Sequence, residues 1–309
     1  GLKGDEVVDS WTIYSVGGGA LANEASRLET PRSIYPLSTI SEIKEWCYHE
    51  GKTFWEYVSD CEGPEIWDYL DTVWETMCAT IQRGLNNDGV LPGGLKVARK
   101  ASTYWVKSKS YTDSLSSRAK IYAYALATSE ENASGGTVVT APTCGSSGVM
   151  PAVLYHLSTS RNFLRIRILR ALATAGLFGN VAKTNPSISG AEVGCQGEVG
   201  VACAMAAAAA CQLFGGTPSQ IEYAAEMGLE HHLGLTCDPV CGLVQVPCIE
   251  RNAIAAARAF DANAYATLSD GSHMVSFDKV VEVMNETGHA LPSLYRETSE
   301  GGLAKRFKR

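Results

Sequence analysis

The chain has 309 residues, of which 45% are apolar and 19% charged, and its formal net charge is −7. That length and balance describe a globular protein with a full-sized core and exclude a disordered chain. The negative charge argues against non-specific nucleic-acid binding, and the short basic end Lys305-Arg306-Phe307-Lys308-Arg309 does not reverse it.

In chain order, Trp11-Thr12-Ile13-Tyr14-Ser15-Val16 reads as a strand, and Gly17-Gly18-Gly19 as a flexible joint. A lone strand needs a sheet to pair with. Residues 1–25 therefore look like the terminal strand and linker of a preceding small α+β domain, or of a separate partner. Residues 26–309 read as one mainly α domain. A helical stretch opens at Ser41-Glu42 and continues to about Ser59, with Ile43, Trp46, Cys47, Phe54 and Val58 at helical spacing and a break near Gly51. Pro64, at a first-turn position, begins a second helix with Ile66, Leu70, Val73, Trp74 and Met77 along one face. Further helices are predicted over 115–128, 162–177, 197–214, 218–233, 249–264 and 277–286. The short run Thr137-Val138-Val139-Thr140 is the one convincing interior strand. The longest apolar run, 201–213, is mostly alanine and reads as a buried helix, short of the ~18–20 residues a membrane span needs. Ten cysteines with no basic-then-apolar leader point to a reducing compartment, the cytoplasm.

Between the helices lie loops that combine Gly or Pro with small hydroxyl residues. They are Leu91-Pro92-Gly93-Gly94-Leu95-Lys96, Thr140-Ala141-Pro142-Thr143-Cys144-Gly145-Ser146-Ser147-Gly148 and Lys183-Thr184-Asn185-Pro186-Ser187-Ile188-Ser189-Gly190. Such loops bring backbone N–H groups close to an anion. Six of the ten cysteines fall between Cys195 and Cys248. Cys203 and Cys211 sit in the alanine run and read as core. Cys195, Cys237 and Cys248 stand instead beside Gly or Pro, where irregular backbone can aim three sulfurs at one point. Thiolates placed in this way hold zinc or iron–sulfur centres. Their separations, 42 and then 11 positions, are neither the C-x-x-C of zinc ribbons nor the compact ferredoxin run. Buried free thiols are the plainer reading.

Several of these segments together identify a resemblance. The 140–148 loop, Gly190-Ala191-Glu192-Val193-Gly194-Cys195-Gln196-Gly197-Glu198 and Cys237-Asp238-Pro239-Val240-Cys241-Gly242-Leu243-Val244-Gln245-Val246-Pro247-Cys248 resemble the iron–sulfur-dependent L-serine dehydratases (L-serine ammonia-lyases). The 91–96 loop and Tyr295-Arg296-Glu297-Thr298 fit the same family. The resemblance runs from about residue 26 to the C-terminus. It implies a [4Fe–4S] cluster on Cys195, Cys237 and Cys248, with Cys241 as the rival third ligand. It also implies a homodimer and a small β-type domain or subunit, whose Ser-Ser-Ser-His-Thr-type motif is not in this chain. Some members end in a cysteine that folds onto the cluster, whereas this chain ends at Arg309.

The implied chemistry is elimination from L-serine, with an open cluster iron acting as Lewis acid on the C3 hydroxyl and a base removing the α-proton, to give pyruvate and ammonia. Thr143, Gly145, Ser146 and Ser147, ahead of a helix start near Val149, are the expected donors to the substrate carboxylate. Lys96 is the expected base if burial lowers its pKa, with Lys183, His232, His273 or a group from the small domain as rivals. His232 also reads as a helix cap, and Glu192 and Glu198 as residues that cap or orient their loops. Two further readings remain. One is a pyridoxal-phosphate dehydratase on Lys96 or Lys183, whose usual folds alternate β and α units, as this chain does not. The other is an α-helical module with structural zinc.

Overall fold

A computed structural model describes residues 1–15, 21–23 and 34–307 of the chain. Helix α1 (Ile40–Glu50) begins where the Thr39 hydroxyl accepts the Glu42 N–H and the Glu42 carboxylate accepts the Thr39 N–H. It ends at Gly51, in left-handed backbone at φ 65°. Two residues on, the Glu56 carboxylate accepts the Thr53 N–H and opens α2 (Phe54–Glu62). One periodic stretch thus becomes two helices because a left-handed glycine and a second cap lie in its middle.

The order continues with α3 (Ile66–Leu85), α4 (Ala101–Ser108), α5 (Asp113–Ala133), α6 (Val149–Arg161), α7 (Arg165–Thr184) and the single turn α8 (Gly190–Val193). A π-helical turn, Gln196–Gly200, leads into α9 (Val201–Leu213), which is followed by α10 (Pro218–Glu230), α11 (Cys248–Leu268), α12 (Phe277–Ala290) and α13 (Gly302–Arg306). The expected mainly α class is borne out. Helix α9 is the axis of the core: Val201 to Cys211 are all buried, and α6, α7, α10 and α11 pack around it. A helix that is apolar all round belongs inside. Its alanines let neighbours approach closely, so a Cβ on Gly228 of α10 would lie 2.9 Å from the Ala204 Cα. Cys203 and Cys211 are core residues, as expected.

Several expectations need correction. The 137–140 run is not a strand. The Thr137 carbonyl accepts from Thr80 Oγ1 at 2.9 Å and Arg83 Nη2 at 2.7 Å, so side chains on α3 replace a ladder partner. The helix expected from 162 starts at Arg165, because Asn162 takes left-handed backbone (φ 53°) and ends α6. Helices α4, α8 and α13 were not expected, and α6 only through its start. At the N-terminus, β1 (Leu2–Lys3) pairs with β2 (Glu6–Val7), and β3 (Ile13–Ser15) with β4 (Leu21–Asn23), both antiparallel. The expected strand over 11–16 is therefore shorter and paired. Val16, the Gly17-Gly18-Gly19 joint and the boundary at 25/26 lie outside the described residues. No described helix is long and apolar enough to cross a membrane.

Candidate active site

Three segments far apart in sequence carry Cys195, Cys237 and Cys248, and the first two meet in one group with Glu198. Cys195 precedes the π turn at the head of α9, Cys237 lies in the loop after α10, and Cys248 is the first residue of α11. All three are buried, and none of the chain's cysteines is in a disulfide. A hydrogen bond with the Cys195 thiol, and then burial, hold the Cys237 thiol protonated far above its ordinary range. Burial, followed by the nearby Cys195 and Glu198, pushes Cys248 up to about 12. Cys195 and Cys237 thus share one site, with Cys248 near enough to feel Cys195 and Glu198. Cys241 lies outside it, exposed and in left-handed backbone at φ 56°.

The Glu198 carboxylate stands among the sulfurs. Its Oε2 is 3.7 Å from both Cys195 Sγ and Cys237 Sγ, and Oε1 accepts from Thr143 Oγ1 at 2.8 Å. Burial raises its pKa against that hydrogen bond, and the negative Glu297 raises it further. The ligand atoms of Cys195, Glu198 and Cys237 all lie within 4.8 Å of one another, a spacing that can hold a metal ion. Bare backbone keeps the space clear: a Cβ on Gly190 would sit 2.6 Å from Glu198 Oε2 and 3.1 Å from Cys237 Sγ. Two soft thiol donors and a carboxylate within mutual reach, with the Cys248 thiol nearby, suit an iron–sulfur or zinc centre.

The hydroxyl-rich loop forms the adjoining wall. Ser147 Oγ donates to the Cys144 carbonyl at 2.8 Å, and Ser146 Oγ lies 3.1 Å from Thr143 Oγ1. Those hydroxyls shape the loop. The Cys144 and Gly145 amides have no hydrogen-bond acceptor among the described residues. Asn252, one helical turn beyond Cys248, fixes the loop to the thiol site. Its Oδ1 accepts from the Gly148 N–H at 2.9 Å, and its Nδ2 donates to the Gly145 carbonyl at 2.7 Å and the Cys248 carbonyl at 2.9 Å.

The C-terminal segment closes over Cys237. The Cys237 N–H donates to the Tyr295 carbonyl at 2.8 Å, and the Glu297 N–H donates to the Cys237 carbonyl at 2.5 Å. Buried Asp238 accepts the Leu303 N–H and, at 3.1 Å, the Thr236 hydroxyl, and it faces Arg251 at 3.7 Å. Asn252, Asp238 and Arg251 escaped sequence reasoning. The one available signal was that Asn252 follows Cys248 at i+4, on the same helix face.

The candidate bases are dispersed. Lys96, the expected base if buried, is exposed, at φ 52° in its turn. Its loop is nevertheless joined to the Cys248 turn, because Gln245 Nε2 donates to the Pro92 carbonyl at 2.7 Å. Lys183 is also exposed. His232 is buried, with Nδ1 2.7 Å from the Gly228 carbonyl, and burial lowers its pKa to about 4, which fits a helix-end role. His273 stacks on Tyr223 and faces Glu222 at 3.7 Å, a group that includes none of the thiols.

The family described as Serine dehydratase alpha chain matches residues 19–304. L-serine dehydratase 1 of Escherichia coli is 47% identical over 319 aligned residues, which cover 98% of this chain and 70% of that protein. The L-serine dehydratase of Streptomyces coelicolor is 46% identical over 98% of this chain and 69% of its own length. That of Helicobacter pylori is 39% identical, with coverages of 98% and 70%.

Proposed function

The chain belongs to the serine dehydratase alpha-chain family, and on that premise we propose that it converts L-serine to pyruvate and ammonia with a [4Fe–4S] cluster on Cys195, Cys237 and Cys248. The observation that carries this reading is the meeting of Cys195 and Cys237 with Glu198 in one metal-sized group, with the free thiol of Cys248, at the head of α11, close by. Held there, such a cluster would supply a Lewis acid for the substrate's C3 hydroxyl and so make hydroxide a better leaving group.

The protein's own residues bind and orient. The free Cys144 and Gly145 amides, in the Thr143–Ser147 loop ahead of α6, take the substrate carboxylate, and the Ser146 and Ser147 hydroxyls keep that loop in shape. Asn252 holds loop and thiol site in register, so the carboxylate and the C3 hydroxyl reach their partners together. Lys96 is the base proposed for the α-proton. Lys96 is exposed, and burial under a covering chain would be what makes a lysine there a working base. A small β-type domain or subunit, paired with residues 1–25, would provide that cover. The exposed Leu2, Val7, Val8, Trp11, Ile13 and Tyr14 of the strand region support such a partner, or a second copy in a homodimer. The eliminated enamine tautomerises and hydrolyses to pyruvate and ammonia.

The test is purification without oxygen, with analysis of iron and acid-labile sulfide, and assay of pyruvate release from L-serine before and after exposure to air. About four irons and four sulfides per chain are expected, with activity lost in air. Zinc, or folded protein with no iron after strictly anaerobic handling, would sink the cluster reading. A full cluster without activity would direct the search to the partner domain, added back to the same assay.

A further inference from the structure

We propose that Glu198 binds the α-ammonium group of the substrate and so makes the site select 2-amino-3-hydroxy acids over 3-hydroxy acids that lack the amine. The inference rests on the L-serine reading above.

The Glu198 carboxylate is held by neutral donors alone, the Thr143 hydroxyl at 2.8 Å and, more weakly, the Cys195 and Cys237 thiols at 3.7 Å. No described ion pair includes it, and the nearest other charged side chain, Glu297, is also negative. The arginines of this region are engaged elsewhere. Arg251 donates to the Thr236 carbonyl at 2.6 Å and faces Asp238, while Arg296 donates to the Glu192 carbonyl at 3.0 Å. A part-buried carboxylate without a cation carries a desolvation cost that a cationic ligand can offset. L-serine brings such a cation on the same carbon as its carboxylate.

Geometry points the same way. The ammonium and carboxylate of an α-amino acid share one carbon, so their protein partners must be close neighbours. A Cβ on Gly145 would lie 3.3 Å from Glu198 Oε1, which places the acid beside the amides proposed for the carboxylate. With only a hydrogen on Gly145, the space between the two partners stays open. The π turn Gln196–Gly200 sets this up by presenting Glu198 on the side of Cys195, three residues before it. Single π turns recur at functional sites because the widened turn re-aims a side chain.

The experiment uses the anaerobically purified holoprotein and its Glu198→Gln, Glu198→Asp and Glu297→Gln variants, each with iron and sulfide counted. Binding is read by calorimetry with L-alanine, which has the ammonium and no leaving group, and with 3-hydroxypropanoate, which has the hydroxyl and no ammonium. The L-serine KM is measured beside them. Glu198→Gln should keep its iron, weaken L-alanine and L-serine by about 30-fold or more, and change 3-hydroxypropanoate by less than about 3-fold. Glu198→Asp, which keeps the charge, should restore much of the preference. Loss of iron from both Glu198 variants, equal weakening of both ligands, a fall in kcat at unchanged KM, or the same selective effect from Glu297→Gln alone would each overturn the assignment. Wild-type holoprotein that releases no pyruvate even with the partner domain added back would overturn the L-serine reading instead, and the calorimetric comparison separates the two failures.

Discussion

His156 shows what burial does to one side chain here. It lies on α6 between Tyr124 and Phe260, with Nε2 2.9 Å from Ser117 Oγ and Nδ1 without a partner among the described residues. Burial, and then the charges of Lys120 and Arg161, lower its pKa from 6.5 to about 4. The unfolded chain therefore takes up the imidazole proton near 6.5, while the folded chain resists it until about 4. In that window the unfolded state binds more protons, so stability is present above 6.5 and is lost as the pH falls. At roughly 1.4 kcal/mol per pH unit the loss is on the order of 2–3 kcal/mol, and buried His232 adds a similar term. Glu226 works in the opposite direction, because burial and then Glu230 raise it from 4.5 to about 8. His156→Phe should flatten the acid-side loss by about half the histidine total, seen as a smaller drop in urea midpoint from about pH 7 to about pH 5. An unchanged drop would mean that this imidazole does not control the slope.

At the scale of elements, the close approach of α9 and α10 governs where the site's residues stand. The Gly228 position leaves no room for a side chain against the Ala204 backbone, and the π turn with Glu198 leads directly into α9. Gly228→Val should push the helices apart, cost about 1–3 kcal/mol, and lower iron content together with the thermal midpoint. A variant with an unchanged midpoint and full iron would show that the packing is not so tight. The long helices were legible in the sequence because their apolar spacing is their reason for existing, as Leu70, Trp74 and Met77 show on α3. The alanine run was legible through uniform apolarity. What could not be read was set by partners distant in sequence. Thr80 and Arg83 turn the 137–140 run into extended chain without a ladder, and Glu130, by accepting the Lys100 and Ala101 N–H groups, caps the unexpected α4.

Over the whole molecule, the three candidate thiols could be singled out because cysteines beside Gly and Pro stand out from a helical background. Glu198 was seen only as a cap, since its meaning depends on two sulfurs and a threonine that folding brings to it. The role of the chain's last segment was equally hidden. After α12, residues 292–307 return across the protein, flank Cys237 with two backbone hydrogen bonds, and place α13 on Asp238. Arg251 ties the same loop to α11, the helix that begins with Cys248. The segment thus holds one thiol loop in register with the other two while adding little to the α9-centred core. Removing residues 292–309 should therefore leave the far-UV helical signal nearly intact and lose most of the iron taken up on anaerobic reconstitution. Asp238→Asn, which keeps the shape but weakens the contacts to Leu303 and Arg251, should lose less, because the two Cys237 backbone bonds remain. If the shortened chain bound a full complement of iron, the register of Cys237 would have to be set by α10 and α11 alone. If it lost its helical signal, the segment would belong to the core, contrary to the burial pattern of its side chains, nearly all of which are partly or wholly exposed.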